Sequence, residues 1–361
     1  MLVYSLGTIL SVLLGLFYQK VGRKLQSTII LKENCGRSIN FKIDLFKYIP
    51  MLPLIIISGI RYGVGQDYFY TYVPIFRNVL SGKINGTWGE IGYIYLNKFV
   101  TLFTSDYSGI FLLTSIIFIY FTFKAIYEQS DNISFSIMLL VLMGYYFCFM
   151  NGIRQMLAAS ILIYSIKFIK EKKLKKFLIF VLMATMLHTS SLLFIPLYFI
   201  SSLEINYKII AVITFMFYAL SNIISSLLLK IIGLTKYSWY LDSTYKAERT
   251  GFIMILINFM ILVFALIFNK DKKNDIYIKI QWFAVLSMAF IGKIPVAHRL
   301  LWVFGLPGII LIPNIISSRN SKRERFVLTL IISILYIVYF IYTVGIKNSN
   351  SVLPYRTIFN K

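Results

Sequence analysis

The sequence predicts an all-α protein, a polytopic integral membrane bundle of about 12 transmembrane helices (range about 10–13), in one domain over 1–361. Three observations lead there. Hydrophobic residues make up 58% of the chain and charged residues 14%, with a mean hydropathy of +0.76. A soluble chain carries about a quarter charged residues and has no core large enough to hide this apolar excess. Apolar runs of near-spanning length recur along the whole chain. Lys and Arg fall in short bursts between those runs and form no basic domain, which sets aside the nucleic-acid partner that a net charge of +23 invites.

The runs lie at 1–18, 45–60, 108–124, 134–152, 153–169, 174–187, 190–203, 209–228, 251–268, 280–294, 299–316 and 326–345. The first has its basic flank behind it (Lys20, Arg23, Lys24), so it reads as a retained helix with its N-terminus outside and not as a cleaved signal. Residues 174–203 read either as one long helix or as two short ones meeting at His188. Alternate connections at 19–47, 124, 167–176, 208, 269–279 and 317–325 hold 23 of the 37 Lys and Arg residues, including KEKKLKK (170–176), KDKK (270–273) and RNSKRER (319–325). That side is therefore cytoplasmic, and both termini are outside. Cys35 lies in a basic cytoplasmic connection and Cys148 in an apolar run, an arrangement that argues against a disulfide.

The outer face is enriched in Arg. Six of its 14 basic residues are Arg (Arg61, Arg77, Arg154, Arg249, Arg299 and Arg356), against five of 23 inside. Arg grips phosphate with a two-pronged fork and stays charged in a partly dry site, so the set reads as an anion site. For any single Arg, snorkelling to headgroups is the competing reading. The longest external segment, 61–107, opens with RYGVGQDYFYTY (61–72). Arg61 and Asp67 are near enough there to pair or to share one ligand. Tyr62, Tyr68, Phe69, Tyr70 and Tyr72 offer either sugar-binding faces or an interfacial aromatic belt. EIGYIYLNKFVTLF (90–103), with apolar residues at helical spacing, reads as an amphipathic helix lying along the membrane surface.

RYGVGQDY, the Glu-Ile-Gly-Tyr segment, NGIRQMLAASILIYSIKFIKEKK (151–173) and MLHTSSLLFIPLY (186–198) together resemble the EpsG family of bacterial exopolysaccharide proteins. HRLLWVFGLP (298–307) and LPYRTIF (353–359) are looser matches in the same order, and Leu187 and Ser191 depart from the family's usual aromatic and Ala. The family is similar to the Wzy-type polymerases. The resemblance implies a reaction on the outer face of the bacterial cytoplasmic membrane. There a glycan on undecaprenyl diphosphate would move onto the distal sugar of another lipid-linked repeat unit, with a flippase and a chain-length regulator as partners and with no soluble cofactor.

A diphosphate leaves as an anion, so such a site must supply positive charge. Arg61, Arg154 and Arg299 lie near the external ends of three helices, and Arg154 ranks first because it follows Asn151-Gly152 at a helix start, where free N–H groups also favour an anion. Tyr62, Tyr68, Gln155 and Arg356 complete the expected substrate-binding set. For an inverting attack the acceptor hydroxyl needs a base, and His188, Asp67 and Glu90 are the candidates. His188 also reads as a helix-packing His bonded to a hydroxyl, and a retaining reaction needs no base in this role. No two His, Asp or Glu residues in the external motifs have metal-ligand spacing on one helix, and no nucleotide-type phosphate loop occurs. A metal-independent membrane glycosyltransferase is thus expected. The competing classes are a flippase of the same lipid-linked oligosaccharide, an O-antigen-ligase-like transferase and a membrane acyltransferase.

Overall fold

A backbone without water must satisfy its hydrogen bonds internally, and in the computed structural model helices do this along most of the chain. The structure describes residues 1–21, 27–32, 38–83, 90–204, 206–234, 238–241 and 252–360. Arg23, Lys24, Cys35, Arg249 and residues 84–89 of the external segment lie outside the described residues. The chain divides into two compact units, Met1–Ser160 with Leu330–Lys361, and Ile161–Thr329.

The first unit begins with α1 (Leu2–Lys20), uncharged until its terminal Lys20. A short antiparallel hairpin follows, β1 (Ser27–Lys32) and β2 (Ser38–Ile43), with Ser27 opposite Ile43 and Lys32 opposite Ser38. It is the departure from an all-helical chain among the described residues. A 3-10 turn over Phe46–Met51 leads into α2 (Leu52–Gly59), and α3 (Val73–Leu80) and α4 (Ile91–Thr101) follow. Proline in the first turn of α2 and of α3 costs no hydrogen bond there. Next come α5 (Ser108–Gln129), α6 (Ile133–Leu142), α7 (Tyr145–Asn151) and α8 (Ile153–Lys170). The Asn132 side chain caps α6 by accepting the Phe135 N–H at 3.1 Å. The run expected at 134–152 is broken because Gly144 takes φ +89°, and α6 and α7 meet at 50°. Tyrosine hydroxyls tie the helices together: Tyr127 donates to the Lys47 carbonyl at 2.6 Å, and Tyr146 to that of Leu54 at 2.7 Å.

The second unit contains α9 (Leu174–Leu187), a 3-10 turn over Thr189–Phe194, and α10 (Pro196–Ile200). The expected alternative of two short helices meeting at His188 is the one observed: His188 is extended (φ −159°, ψ 122°) between them. α11 (Tyr207–Ala219) and α12 (Ser221–Gly233) are bent by 63° where one run was expected. α13 (Phe252–Phe268) and α14 (Asp275–Ser287) pack together, with the Gln281 amide donating to the Asn258 carbonyl at 2.9 Å, the polar bridge that apolar helix pairs use. Lys279 turns its ammonium onto the carbonyls of Ser201 (2.7 Å) and Leu203 (2.6 Å) beyond the end of α10. α15 (Leu300–Gly305) and α16 (Gly308–Ser317) are almost wholly buried, and α17 (Lys322–Phe340) carries the chain back into the first unit.

Every expected apolar run carries helical backbone over most of its length. The breaks shorten several of them. Among the described residues four helices are long and apolar enough to cross a membrane, or six if each bent pair is one span.

Candidate functional site

The site is built where α2 ends. Arg61, the residue after that helix and its terminal turn, has no exposed surface. One Nη donates to the Ser58 carbonyl (3.1 Å) and the other to that of Met150 (3.2 Å). Its guanidinium lies 5.1 Å from the Phe111 ring centre and 5.7 Å from that of Phe149, within cation–π range. Burial pushes its pKa below the ordinary value, but an Arg starts so high that it stays charged. Tyr68, also fully buried, stacks on Phe111 at 4.0 Å and donates to the Arg61 carbonyl at 3.3 Å.

The loop after Arg61 is held from two directions. On one side lies a strap, residues 348–358. The Tyr62 N–H donates to the Arg356 carbonyl, the Gly65 N–H to that of Ser351, and the Ile358 N–H to that of Ile60, each at 2.9 Å. Tyr355 and Tyr4 add hydroxyl bonds, to the carbonyls of Ile57 (3.0 Å) and Val352 (2.8 Å). On the other side is Asn151, the last residue of α7. Its side-chain oxygen accepts the Gln66 N–H at 2.6 Å, and its amide nitrogen donates to the Asn350 carbonyl at 3.0 Å. The Asn151 carbonyl accepts the Tyr72 hydroxyl at 2.8 Å, and the Tyr72 oxygen accepts the Ile153 N–H at 2.7 Å, satisfying one of the donors that open α8. Gly65 is required here: at φ +99° a Cβ would lie 2.7 Å from the Met150 carbonyl oxygen.

Arg154 stands in the first turn of α8 and donates to Glu90 at 2.5 Å. Glu90 is the residue before α4, and its side chain is 9% exposed against 26% for Arg154. The buried face of α4 continues with Tyr93 and Asn97, one and two turns along, and the Tyr93 ring lies 5.7 Å from that of Tyr72.

The expected site residues of the first unit therefore meet in one place, with unequal access. Arg61 and Tyr68 are buried beneath it and Gln155 is 5% exposed. Tyr62 and Asp67 are half-buried, Arg356 is exposed, and Arg154 with Glu90 forms a partly open ion pair. His188 and Arg299 belong to the second unit, His188 at the helix break and Arg299 before α15 with its guanidinium 5.5 Å from the Trp302 ring. Among the described residues no group of three or more His, Cys, Asp and Glu gathers as metal ligands would.

Residues 44–357, nearly the whole chain, match the EpsG family. The chain belongs to the EpsG family. This is a family of Wzy-like polysaccharide polymerases, which makes the chain a membrane protein with a polymerase role in exopolysaccharide biosynthesis. No curated protein and no solved structure matches it.

Within this EpsG family member, sequence reasoning passes over Asn151, Tyr93 and Asn97 as site residues, and it marks Tyr72 for its ring and not for the hydroxyl that joins Asn151 to Ile153. Asn151 was visible as the polar residue ahead of Gly152, where a helix start asks for a side-chain acceptor. What it actually holds is a loop 85 positions away, and no local signal marks that.

Proposed function

We propose that this EpsG family member transfers a polyprenyl-diphosphate-linked glycan chain onto the distal sugar of another lipid-linked repeat unit, at the external face of the bacterial cytoplasmic membrane. The topology belonging to this reading is about 12 spans with both termini outside. The observation that carries it is the place of Arg154. A guanidinium on the first turn of an 18-residue helix, partly open and already holding a carboxylate, supports an anion ligand. The diphosphate bears on Arg154, with the exposed Arg356 as a second cation and the half-buried Tyr62 beside the headgroup, while Gln155 is a buried member of the set. Arg61 and Tyr68, being buried, serve by holding the loop that carries Tyr62 and Asp67. Arg299 and His188 lie in the second unit, and the proposal rests on the first-unit residues alone. No metal and no soluble cofactor is assigned. A flippase supplying the repeat units and a chain-length regulator are the proposed partners.

The test uses a strain lacking this gene, complemented with the wild type, Arg154→Ala or Arg154→Lys. Surface polysaccharide is sized on gels and membrane protein levels are checked by blot. Single repeat units without long chains, from variants at normal levels, is the expected result. Long polymer in the deletion strain itself would sink the polymerase reading. Absence of any repeat unit from the outer face would replace it with the flippase reading.

A further inference from the structure

The geometry joins two residues with different expected tasks, Arg154 as an anion ligand and Glu90 as a candidate base. Their pair is partly open to solvent on the Arg154 side, where a ligand can reach it, and nearly closed on the Glu90 side. A diphosphate brings more negative charge to Arg154 than one carboxylate does and accepts hydrogen bonds from the same donors. We propose that the Glu90–Arg154 pair is an exchange switch: the donor's diphosphate displaces Glu90 from Arg154, and the freed carboxylate is the general base for the acceptor sugar hydroxyl. This rests on the reading of Arg154 as the diphosphate ligand.

Two observations and one stereochemical argument support the exchange. The backbone of Glu90 is fixed, because its carbonyl accepts the N–H groups of Tyr93 (3.0 Å) and Ile94 (3.2 Å) at the start of α4. Only its side chain has to move. The side chain is 9% exposed, so a carboxylate that loses the Arg154 guanidinium there loses a stabilisation of its charged form and gains proton affinity, as a base should. Finally, an in-line attack brings the acceptor oxygen to the side of the anomeric carbon away from the diphosphate. A base held on the guanidinium is on the wrong side until it is released, so release by the diphosphate times the base to the presence of donor. Of the three candidate bases, Glu90 is ion-paired with Arg154, and His188 belongs to the other unit.

The step balances without a further reactant. The acceptor O–H gives its proton to the Glu90 carboxylate while its oxygen bonds to the donor's anomeric carbon. The bond from that carbon to the diphosphate oxygen breaks, and polyprenyl diphosphate leaves with the electron pair, held by Arg154. Loss of the leaving group lets Glu90, after shedding its proton, return to Arg154.

The test pairs a binding measurement with polymer analysis, using the full chain in lipid nanodiscs and inorganic pyrophosphate as the probe. Glu90→Gln keeps the shape and removes the competing charge. It is expected to bind pyrophosphate about two- to fivefold more tightly than wild type, the scale of a partly exposed ion pair, and to make no polymer in cells at normal membrane levels. Glu90→Gln that still makes long polymer overturns the base. Glu90→Gln that binds pyrophosphate no better than wild type overturns the exchange. In both cases the diphosphate reading survives if Arg154→Ala has lost pyrophosphate binding. If Arg154→Ala binds as wild type does, or neither wild type nor Glu90→Gln binds, the underlying reading fails and takes the switch with it.

Discussion

The side-chain oxygen of Asn151 accepts the backbone N–H of Gln66 at 2.6 Å while its amide nitrogen holds Asn350. One residue thus joins the loop after α2, the start of α8 and the strap. Asn151→Ala leaves the Gln66 N–H without this acceptor, at a cost of about 1–3 kcal/mol, and thermal melting of the purified protein should fall accordingly. Asn151→Asp keeps the acceptor and loses the donor, so it should melt closer to wild type. Equal losses in the two variants would show that the oxygen is not the anchoring atom.

Gly65 and Gly144 both take positive φ, at +99° and +89°, but only Gly65 has a neighbour in the way. Gly144→Ala meets nothing within 4 Å and carries the backbone cost alone, about 1 kcal/mol. Gly65→Ala adds a clash with the Met150 carbonyl and should be the more damaging by at least about 1 kcal/mol. Melting curves of the two variants side by side decide it, and the reverse order would contradict the close approach.

Arg61→Lys keeps the charge but loses the planar fork that reaches two carbonyls and lies near two rings. A drop of about 2 kcal/mol or more in stability is expected, with Arg61→Ala no better. A lysine variant that melts like wild type would mean that charge alone suffices at this position.

In the second unit, Lys279→Met removes the ammonium from the Ser201 and Leu203 carbonyls and should cost about 1–3 kcal/mol. Lys279→Arg, which can still donate, should recover part of that. Thermal unfolding followed by tryptophan fluorescence checks both, and an unchanged midpoint for Lys279→Met would deny the capping role.

How far the sequence spoke depends on whether the signal was local. Helix positions followed from hydropathy, and the break at His188 was one of two readings because polar residues interrupt the run there. The breaks at Gly144 and Leu220 were not legible, since a glycine or a leucine inside an apolar run is compatible with continuous helix. The hairpin is equally hidden: the connection 19–47 stands out by its charge, although β1 and β2 are rich in Ile with polar residues interleaved. Arg61 was legible as a charge at a helix end. Its burial was not, because one carbonyl that accepts it is 89 positions away. Likewise both members of the Glu90–Arg154 pair were singled out, but a contact across 64 positions has no sequence signature.

The strap also sets a clock. The Tyr355 hydroxyl reaches Ile57 across 298 positions, and the loop from Ile60 to Gly65 cannot be paired until that stretch has been synthesised. At about 5–20 residues per second the interval is roughly 15–60 s. During it Arg61 sits in a half-built site whose backbone donors at Tyr62 and Gly65 await their acceptors. The nascent protein therefore carries unpaired backbone donors just past the end of α2 until its last residues arrive.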